Sequence, residues 1–450
     1  MTTSTSAERR RERARAVVAR LQKAGHAAFW VGGCVRDRWL GREPLDYDVA
    51  TSARPAEIEV LFRRTIPVGR QFGVVIVMLE GFEYQVSTFR SEGPYADGRR
   101  PSTVQFTDAR EDALRRDLTV NGLFYDPIRD TLHDWVGGLD DLRAGLIRTI
   151  GDPGERLGED SLRLLRVPRF AAQLGFEVEA GTLAAVRARA AEIRRVSAER
   201  IRDELVKLFA PPHAAVGLEW LRQTGLLVEV LPEVAAFQSC EQSPEYHPEG
   251  TVYEHVRRML ALMPCPAPEL LPWAALLHDV GKPGTAERDP ASGSIHFYGH
   301  DRLGAEMAEA VMTRLRFSRQ QVEDTVVAVR HHMQFKDVAQ MRRSTRRRMI
   351  LRPTFPLELE LHRLDCLGSH GSLESYELMR REVEAMQLPP TGLPPLVNGR
   401  DLMALGMKPG PALGTLLAEI RERQLQEELR TRDDALAWVR EKLGAGQGQS

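Results

Sequence analysis

The stretch VGGCVRDRWLGREPLDYDVAT, residues 31–51, determines how the first part of the chain is interpreted. Apolar residues before it predict a short strand, which Gly32 and Gly33 end, because glycine allows a sharp turn and a close approach of the backbone to a ligand. The N–H groups of such a turn can hold a phosphate. The guanidinium of Arg36 can clamp a phosphate with two hydrogen bonds. A short helix over residues 35–40 follows, and Gly41 ends it.

Two carboxylates, Asp46 and Asp48, lie on a second predicted strand over residues 45–49. Alternation along a strand puts both side chains on one face. Oxygen ligands of this kind suit Mg²⁺, which usually takes one or two carboxylates together with substrate phosphates. Two such ions can activate an attacking hydroxyl and stabilise a leaving pyrophosphate. The acidic pair alone is not specific, since Glu57 and Glu59 have the same spacing. The combination of the pair with the Gly-Gly turn is specific.

This combination resembles the class II branch of the nucleotidyltransferase superfamily, which contains bacterial tRNA CCA-adding enzymes and bacterial poly(A) polymerases. The resemblance implies that Gly33 and Arg36, with Gly32 beside them, hold a nucleoside triphosphate. It also implies that Asp46 and Asp48 are catalytic and bind two Mg²⁺ ions.

The rest of the predicted head is a helix over residues 55–64 and two strands over residues 72–79 and 84–89, which complete a small mixed sheet. The family places a third metal-binding carboxylate on the last strand. This chain has Gln85 at that position, and Gln cannot carry the charge. Glu83, two residues earlier on the same face, is the alternative ligand.

A loop over residues 91–104 contains two arginines and either positions the substrate, as in the family, or is an ordinary solvated loop. The next segment, DALRRDLTVNGLFYDP at residues 112–127, resembles the second motif of the family. The resemblance implies that Arg116 contacts the nucleotide and that Asp117 organises the site.

A third motif is GEDSLRLLRVPRFAAQLGF, residues 158–176. A helix that begins near its acidic pair places four charged side chains at successive i, i+3 steps: Asp160, Arg163, Arg166 and Arg169. Either this is a solvated basic face or it is an edge that recognises bases. Asp160 accepts from the exocyclic amine that cytosine and adenine share, and Arg163 donates to their ring nitrogen; guanine and uracil oppose both groups. The family uses its E-D-x-x-R motif in this way.

A second site is predicted downstream, where four residues match the HD phosphohydrolase pattern: His255, His278, Asp279 and Asp365. Histidine and aspartate ligands on helices suit a transition metal or Mg²⁺. His300 and His331 either hold a second metal or line the pocket. The segment MRRSTRRRMI, residues 341–350, either binds phosphate backbones or is a solvated helix face.

The fold predicted is an α+β head with a small mixed sheet, followed by an all-α neck, an HD domain and a helical tail. The predicted boundaries are 1–26 for an N-terminal helix, 27–147 for the nucleotidyltransferase head, 148–245 for the neck with its nucleotide-reading motif, 246–375 for the HD domain and 376–450 for the tail.

Composition restricts the partners. Lys and Arg total 62 and Asp and Glu total 63, for a net charge of −1, so an RNA-binding surface must be a local patch. The four cysteines have no CxxC spacing, which argues against a disulfide framework or zinc ribbon and favours the cytoplasm. No apolar run approaches ~18 residues, so no membrane partner is predicted, and no protein partner is either.

The motifs together predict a template-independent tRNA nucleotidyltransferase that adds CCA to tRNA 3′ ends from CTP and ATP, with HD phosphohydrolase side activity. The predicted cofactors are Mg²⁺ at the head and a divalent metal such as Mg²⁺, Mn²⁺ or Ni²⁺ at the HD site. Poly(A) polymerases share every motif, but residues 66–77 lack the longer basic stretch of that type. Enzymes that add only CC or only A are further alternatives. An HD phosphohydrolase with an RNA-binding head is the rival of another class, favoured by Gln85 alone.

Overall fold

The computed structural model describes residues 5–92, 104–243, 247, 249–386 and 393–446. The chain divides into two compact units, Met1–Ala235 and Ala236–Ser450. Most of the loop predicted over residues 91–104 lies outside the described residues.

The first unit contains both helices and strands. Its helices are α1 Ser6–Lys23, α2 Gly33–Trp39, α3 Pro55–Leu61, α4 Ala109–Leu114, α5 Gly138–Ala144, α6 Pro153–Glu159, α7 Arg163–Leu174, α8 Ala180–Arg189, α9 Ala198–Leu208, α10 Ala214–Gln223, α11 Leu226–Val230 and α12 Pro232–Ala235. Its strands are β1 Ala28–Val31, β2 Asp48–Thr51, β3 Thr65–Gly69, β4 Val74–Leu79, β5 Phe82–Thr88, β6 Arg90–Glu92, β7 Val104–Phe106, β8 Phe124–Asp126, β9 Thr131–His133, β10 Leu146–Ile147 and β11 Glu177–Val178. Short 3-10 turns cover Arg70–Phe72, Thr119–Asn121 and Ala190–Arg195.

Seven of these strands form one sheet in the order β3-β4-β5-β2-β1-β8-β9. Strand β2 is antiparallel to β1 on one side and parallel to β5 on the other, so the sheet is mixed and β2 lies in its interior. Alternate side chains of β4 and β5 are buried, including Val75, Val77, Tyr84 and Val86, as the period of two along a strand requires. The predicted α+β head with a small mixed sheet is confirmed.

The strand that carries the carboxylates is shifted from its predicted position. It begins at Asp48 rather than at residue 45, so Asp46 lies in the 41–47 loop before it. Pro44 and Tyr47 of this loop are buried. Pro44 has no backbone N–H to donate to a neighbouring strand, and the ring of Tyr47 packs edge-on against Trp30 of β1, with ring centroids 4.7 Å apart. Strand alternation therefore does not bring the two aspartates together; the loop does.

The second unit is helical, as predicted. Its helices are α13 Val252–Ala261, α14 Leu271–Leu277, α15 Lys282–Thr285, α16 His300–Arg314, α17 Arg319–His331, α18 Arg343–Ile350, α19 Phe355–Gly368, α20 Glu374–Met386, α21 Gly399–Ala404, α22 Pro411–Leu425 and α23 Arg432–Gly446. Short 3-10 turns cover Ala236–Ser239 and His332–Asp337, and the strands β12 Glu287–Arg288 and β13 Ile295–His296 form a small hairpin. None of the described helices combines the length and apolar composition that crossing a bilayer requires.

The arginine-rich segment forms α18, and most of its guanidinium groups pair with acidic side chains of the same unit. Arg347 is 3% exposed; its guanidinium lies 2.9 Å from Glu382 on α20 and 2.5 Å from Glu427 after α22. Arg343 contacts the same two carboxylates, at 2.9 and 2.6 Å. Arg348 pairs with Glu422. Neither predicted alternative describes these contacts, because the charges join α18 to α20 and to the region of α22.

Candidate functional site

One cavity of about 1000 Å³ in the first unit, here called the head cavity, collects nearly all the predicted nucleotide-site residues. The predicted residues that line it are Gly32, Gly33, Arg36, Asp46, Asp48, Arg116, Asp117, Asp160, Arg163 and Arg166. They come from the turn after β1, from α2, the 41–47 loop, β2, the segment after α4, the end of α6 and the start of α7, so the fold gathers positions up to 134 residues apart.

Gly32 forms the turn between β1 and α2 with a φ of +70°, a conformation that side chains with a Cβ rarely adopt. A Cβ at this position would also lie 3.3 Å from Nη1 of Arg116. The glycine therefore serves both the turn and the close approach of an arginine to the backbone. Helix α2 then starts at Gly33 and directs Arg36 into the cavity.

The two aspartates of the cavity repel each other. Burial first, and then the charge of Asp46, raise the pKa of Asp48 to about 6, against the opposing effect of Arg116. Two adjacent carboxylates, one of them desolvated, are the donor set that a divalent cation stabilises. Gln85 and Ser87 of β5 line the same cavity. Glu83 is exposed on β5, where it faces Met78 in the register, and it is absent from the described lining.

A buried carboxylate anchors the arginines of the second motif. Asp112 accepts from Arg115 at 2.7 Å and from Arg116 at 3.1 Å. The two arginines outweigh burial and lower the pKa of Asp112. Asn121 of the same motif accepts a hydrogen bond from Arg36 at 2.7 Å. The cationic groups of the cavity are thus held in place before any ligand binds.

Asp117 links this motif to α7. Its Oδ2 lies 2.5 Å from Nε of Arg166. Burial alone would raise the pKa of Asp117, but the Arg166 charge and hydrogen bond outweigh it and lower the pKa to about 2. The guanidinium of Arg166 also lies 5.2 Å from the ring centroid of Phe170, another cavity residue. Asp117 therefore orients an arginine of the cavity.

The third motif differs from prediction in how its first residue is placed. Asp160 does not begin a helix; it ends α6 in an extended conformation, and its Oδ1 accepts from the N–H of Leu162 at the start of α7. Its Oδ2 accepts from Arg200 of α9 at 2.7 Å. Arg163 donates to Glu159 and to backbone carbonyls. Asp160 and Arg163 both line the cavity.

The structure does not bring Arg169 to the head cavity. Its side chain is 8% exposed and lies 2.5 Å from Glu204 of α9, with the guanidinium 3.8 Å from the ring centroid of Phe170. Arg169 thus forms a buried ion pair inside the helical part of the unit.

Several cavity residues were missed by the sequence interpretation. They are Phe72, Val74, Ser87, Arg90, Arg115, Asn121, Leu162, Phe170, Arg200 and Lys207, with Val31 of β1. Arg115 and Asn121 lie in the second motif, so the motif could have identified them. Arg200 and Lys207 lie two helical turns apart on α9, a spacing too common to mark a site.

The second unit gathers all four predicted HD residues around one buried point. Nε2 of His255 lies 3.1 Å from Asp365 Oδ1, and Nε2 of His278 lies 3.2 Å from Asp279 Oδ2. Neither approach has hydrogen-bond geometry, so both Nε2 atoms are buried without a partner among the described residues. Lys282 holds Asp279 at 2.8 Å. Unpaired nitrogens beside carboxylates are the ligand arrangement of a metal site.

Two further histidines face this point, and one of them differs from prediction. Nε2 of His300 and of His332 lie 3.5 and 3.8 Å from Asp279 Oδ1. His331 instead lies 3.8 Å from Glu358 and away from the cluster. The difference arises because α17 ends at His331 and a 3-10 turn begins at His332, which changes the direction of successive side chains.

Backbone contacts fix the ring tautomers of these histidines. Nδ1 of His278, His300 and His332 lies 2.9, 2.7 and 2.6 Å from a main-chain carbonyl oxygen, to which it must donate. Each Nε2 therefore offers a lone pair in the neutral ring, and those of His300 and His332 are 3.1 Å apart. Two lone pairs at this distance repel, and a cation between the ligands relieves the repulsion. Burial and nearby histidines lower the pKa of His332 to about 4, which keeps this ring neutral.

Gly281 makes the cluster possible. A Cβ here would lie 2.3 Å from the carbonyl oxygen of His300 and 2.7 Å from the nitrogen of Gly304. Only glycine lets the segment after Asp279 approach α16 this closely, and this approach brings His300 to the carboxylate.

Three segments of the chain match known families. Residues 28–148 match the poly A polymerase head domain, residues 175–238 the probable RNA and SrmB-binding site of polymerase A, and residues 252–362 the HD domain. The chain thus carries segments similar to a poly A polymerase head domain and, after it, to an RNA-binding segment and an HD domain. These families generally use divalent metals, and the described part of the chain contains groups able to bind them.

Two curated relatives of the chain are CCA-adding enzymes. The CCA-adding enzyme of Limosilactobacillus fermentum is 44% identical over 216 residues, 48% of this chain and 54% of the relative. That of Bacillus velezensis is 41% identical over 244 residues, 54% of this chain and 61% of the relative. The chain thus spans about half the length of the curated relatives it matches. The crystal structure of Bacillus stearothermophilus CCA-adding enzyme in complex with CTP shares the fold, with a TM-score of 0.74 at 24% identity, over 99% of this chain and 100% of that one.

Proposed function

We propose that the chain is a template-independent RNA nucleotidyltransferase that adds C, C and A to the 3′ end of tRNA, with CTP and ATP as substrates. The observation that carries the proposal is the head cavity, where two adjacent carboxylates lie among arginines that are already anchored. The similarity to CCA-adding enzymes supports the choice of tRNA over other RNAs. The cytoplasmic location and the domain boundaries predicted from the sequence are parts of the same proposal.

The roles of the cavity residues follow from their contacts. Asp46 and Asp48 would hold Mg²⁺, which would supply Lewis-acid activation of the RNA 3′-hydroxyl and compensation for the charge of the leaving pyrophosphate. Arg36, oriented by Asn121, and Arg116, oriented by Asp112, bind the triphosphate. Gly32 and Gly33 admit the phosphates to the backbone.

Base selection is assigned to the third motif. Asp160 accepts from the exocyclic amine of cytosine or adenine, and Arg163 donates to the ring nitrogen. Arg200 restrains Oδ2 of Asp160 at 2.7 Å and the N–H of Leu162 restrains Oδ1, so the carboxylate is held in one orientation, and each oxygen keeps a second lone pair with which to accept. Arg166, held by Asp117, borders the same part of the cavity.

Asp160→Ala is expected to relax nucleotide choice. The amine of C or A loses its acceptor, while the carbonyl of U or G is no longer opposed by one, so the ratio of kcat/KM for CTP over UTP should fall by ~100-fold or more. Single-nucleotide incorporation into a truncated tRNA measures the ratio. Glu155→Ala, which removes an exposed carboxylate of α6, is the control and should keep the parent ratio. An unchanged ratio in Asp160→Ala would assign base selection elsewhere.

A terminal-addition assay tests the proposed function itself. The protein and Mg²⁺ are incubated with tRNA lacking its 3′ end, or with an unrelated RNA, and with CTP, ATP or both. Addition that stops at CCA on tRNA alone supports the proposal. Long A tails on either RNA indicate a poly(A) polymerase, and only CC or only A indicates a partial enzyme. No addition leaves the HD domain as the active part.

The HD cluster supports a second activity, metal-dependent phosphohydrolysis. His255, His278, Asp279 and Asp365 would hold one divalent ion, and His300 and His332 would hold another with Asp279. The ions would supply an activated water to a phosphate ester. His278→Ala should lose this hydrolysis, and an unchanged rate would refute the assignment.

Adjacent histidines provide a sharper test of the second ion. His332→Ala is expected to bind about one Mn²⁺ or Ni²⁺ fewer than the parent and to lose at least ~100-fold in hydrolysis of bis(p-nitrophenyl) phosphate. His331→Ala, which alters the neighbouring ring but not the cluster, should keep both. Metal content after dialysis is measured by mass spectrometry. Equal losses in the two variants would show a general structural effect rather than a lost ligand.

A further inference from the structure

A second cavity of the first unit, of about 280 Å³, is lined by three arginines. Arg11 comes from α1, Arg38 from α2 and Arg42 from the 41–47 loop. Among the residues that the structure describes, none lines both this arginine cavity and the head cavity. The arginine cavity is therefore a separate concave surface with its own charge, close in sequence to Asp46.

Two of these arginines have no carboxylate partner in the part of the chain that the structure describes. Arg11 and Arg42 form no ion pair within 4 Å there, whereas Arg13, half a turn further along α1, pairs with Glu80 at 2.7 Å. Arg38 is fixed by an aromatic ring instead: its guanidinium lies 5.1 Å from the centroid of Tyr125.

The single carboxylate of the lining does not balance these charges. Glu43 accepts from the hydroxyl of Tyr47, with the two oxygens 3.4 Å apart. One carboxylate faces three guanidinium groups, so the cavity carries a net positive charge on a chain whose total formal charge is −1. Concentrated positive charge on a nearly neutral protein is the electrostatic footprint of an anion-binding surface.

We propose that the arginine cavity binds a phosphodiester group of the RNA strand that the head extends; this inference rests on the proposed function. Arginine forks match phosphate oxygens with two hydrogen bonds. The nucleoside triphosphate is assigned a different set of cationic groups in the head cavity. The 41–47 loop leads from Arg42 to Asp46, so a strand whose 3′ end reaches the carboxylates passes beside this loop.

The test combines Arg11→Gln and Arg42→Gln, which leave Arg38 and its ring contact intact. Direct titration with truncated tRNA, without nucleotide, measures the RNA Kd at several salt concentrations. The double variant should weaken binding about 10-fold at low salt and reduce the salt slope of log Kd by about 0.7–0.9, the effect of one lost phosphate contact. The KM for tRNA should rise similarly, while the KM for CTP and kcat at saturating tRNA stay unchanged.

Arg63→Gln with Arg64→Gln is the matched control, because it removes two exposed positive charges from the same unit outside the cavity. If RNA binding weakens equally in the two double variants, the effect is one of net charge and the proposal is overturned. RNA binding by Arg11→Gln with Arg42→Gln that equals that of the parent would also overturn it. A raised KM for CTP, or altered inhibition by inorganic phosphate with unchanged RNA binding, would assign the cavity to a free anion instead. A parent protein that binds tRNA but adds no nucleotide would refute the proposed function and leave the cavity test decisive.

Discussion

Asp48→Asn is expected to abolish nucleotide addition while leaving the fold intact. The amide keeps the size of the side chain but removes one of the two charges that hold a divalent cation, so incorporation of CTP into truncated tRNA should fall at least ~1,000-fold. The variant should also lose the Mg²⁺-dependent rise in melting temperature that a cation bound only to the folded state confers.

The stability of the same variant provides an internal check. Burial and Asp46 raise the pKa of Asp48 to about 6, above its ordinary value, so the folded state holds a proton more tightly than the unfolded chain. Ionised Asp48 therefore costs stability, and this cost grows as the pH rises from about 4 through 6. In the absence of metal, the melting temperature of Asp48→Asn should equal or exceed that of the parent at pH 7. Any excess should disappear near pH 4.

Gln85→Ala is the control, since it alters another polar side chain of the cavity without removing a charge. It should retain the metal-dependent rise in melting temperature. Nucleotide addition by Asp48→Asn within 10-fold of the parent rate would contradict the assignment of Asp48 as a metal ligand. A large fall in its melting temperature would mean that the loss of activity reports misfolding.

Arg347→Ala is expected to destabilise the second unit. The substitution removes one of the charge-assisted hydrogen bonds that Glu382, which is 9% exposed, accepts at 2.9 Å, and it removes the contact with Glu427, while Arg343 still donates to both carboxylates. Loss of a hydrogen bond to a charged group costs about 1.5–3 kcal/mol, and this is the fall that we expect in the free energy of unfolding. Chemical denaturation of the full chain, followed by circular dichroism, measures the loss.

Arg348→Ala is the matched control, because this neighbour is 56% exposed and its partner Glu422 is partly exposed. Exposed ion pairs contribute little, so its stability should stay within ~0.5 kcal/mol of the parent. Similar stabilities for the two variants would mean that α18 does not depend on these buried charges. The phosphate-binding hypothesis for the segment would then need a direct test with RNA.

Local motifs were sufficient to predict ten of the residues that line the head cavity. The Gly-Gly turn, Arg36 and the second motif are close in sequence to the turns that display them, so residue type and spacing locate them. Asp160 was placed on a helix because the spacing suggested one. Its carboxylate instead accepts from the N–H of Leu162, two residues later, as an aspartate does in an Asx turn.

Long-range partners explain what the sequence could not predict. The spacing from Arg166 to Arg169 indicates a shared helix face, yet Arg169 turns to Glu204, 35 residues later. The arginines of α18 pair with carboxylates that follow them by 35 to 84 residues. Helical periodicity cannot identify such partners, because it describes one helix and not what packs against it.

The two carboxylates of the head cavity lie on segments that differ in rigidity. Asp48 opens β2, a strand with hydrogen-bonded neighbours on both sides, whereas Asp46 belongs to the 41–47 loop. One ligand is thus preorganised by the sheet, and the other retains more conformational freedom. When both carboxylates bind one cation, the loop loses more conformational entropy than the strand does. Metal affinity at this site is therefore adjustable through the loop sequence, without altering the sheet that carries the rest of the head.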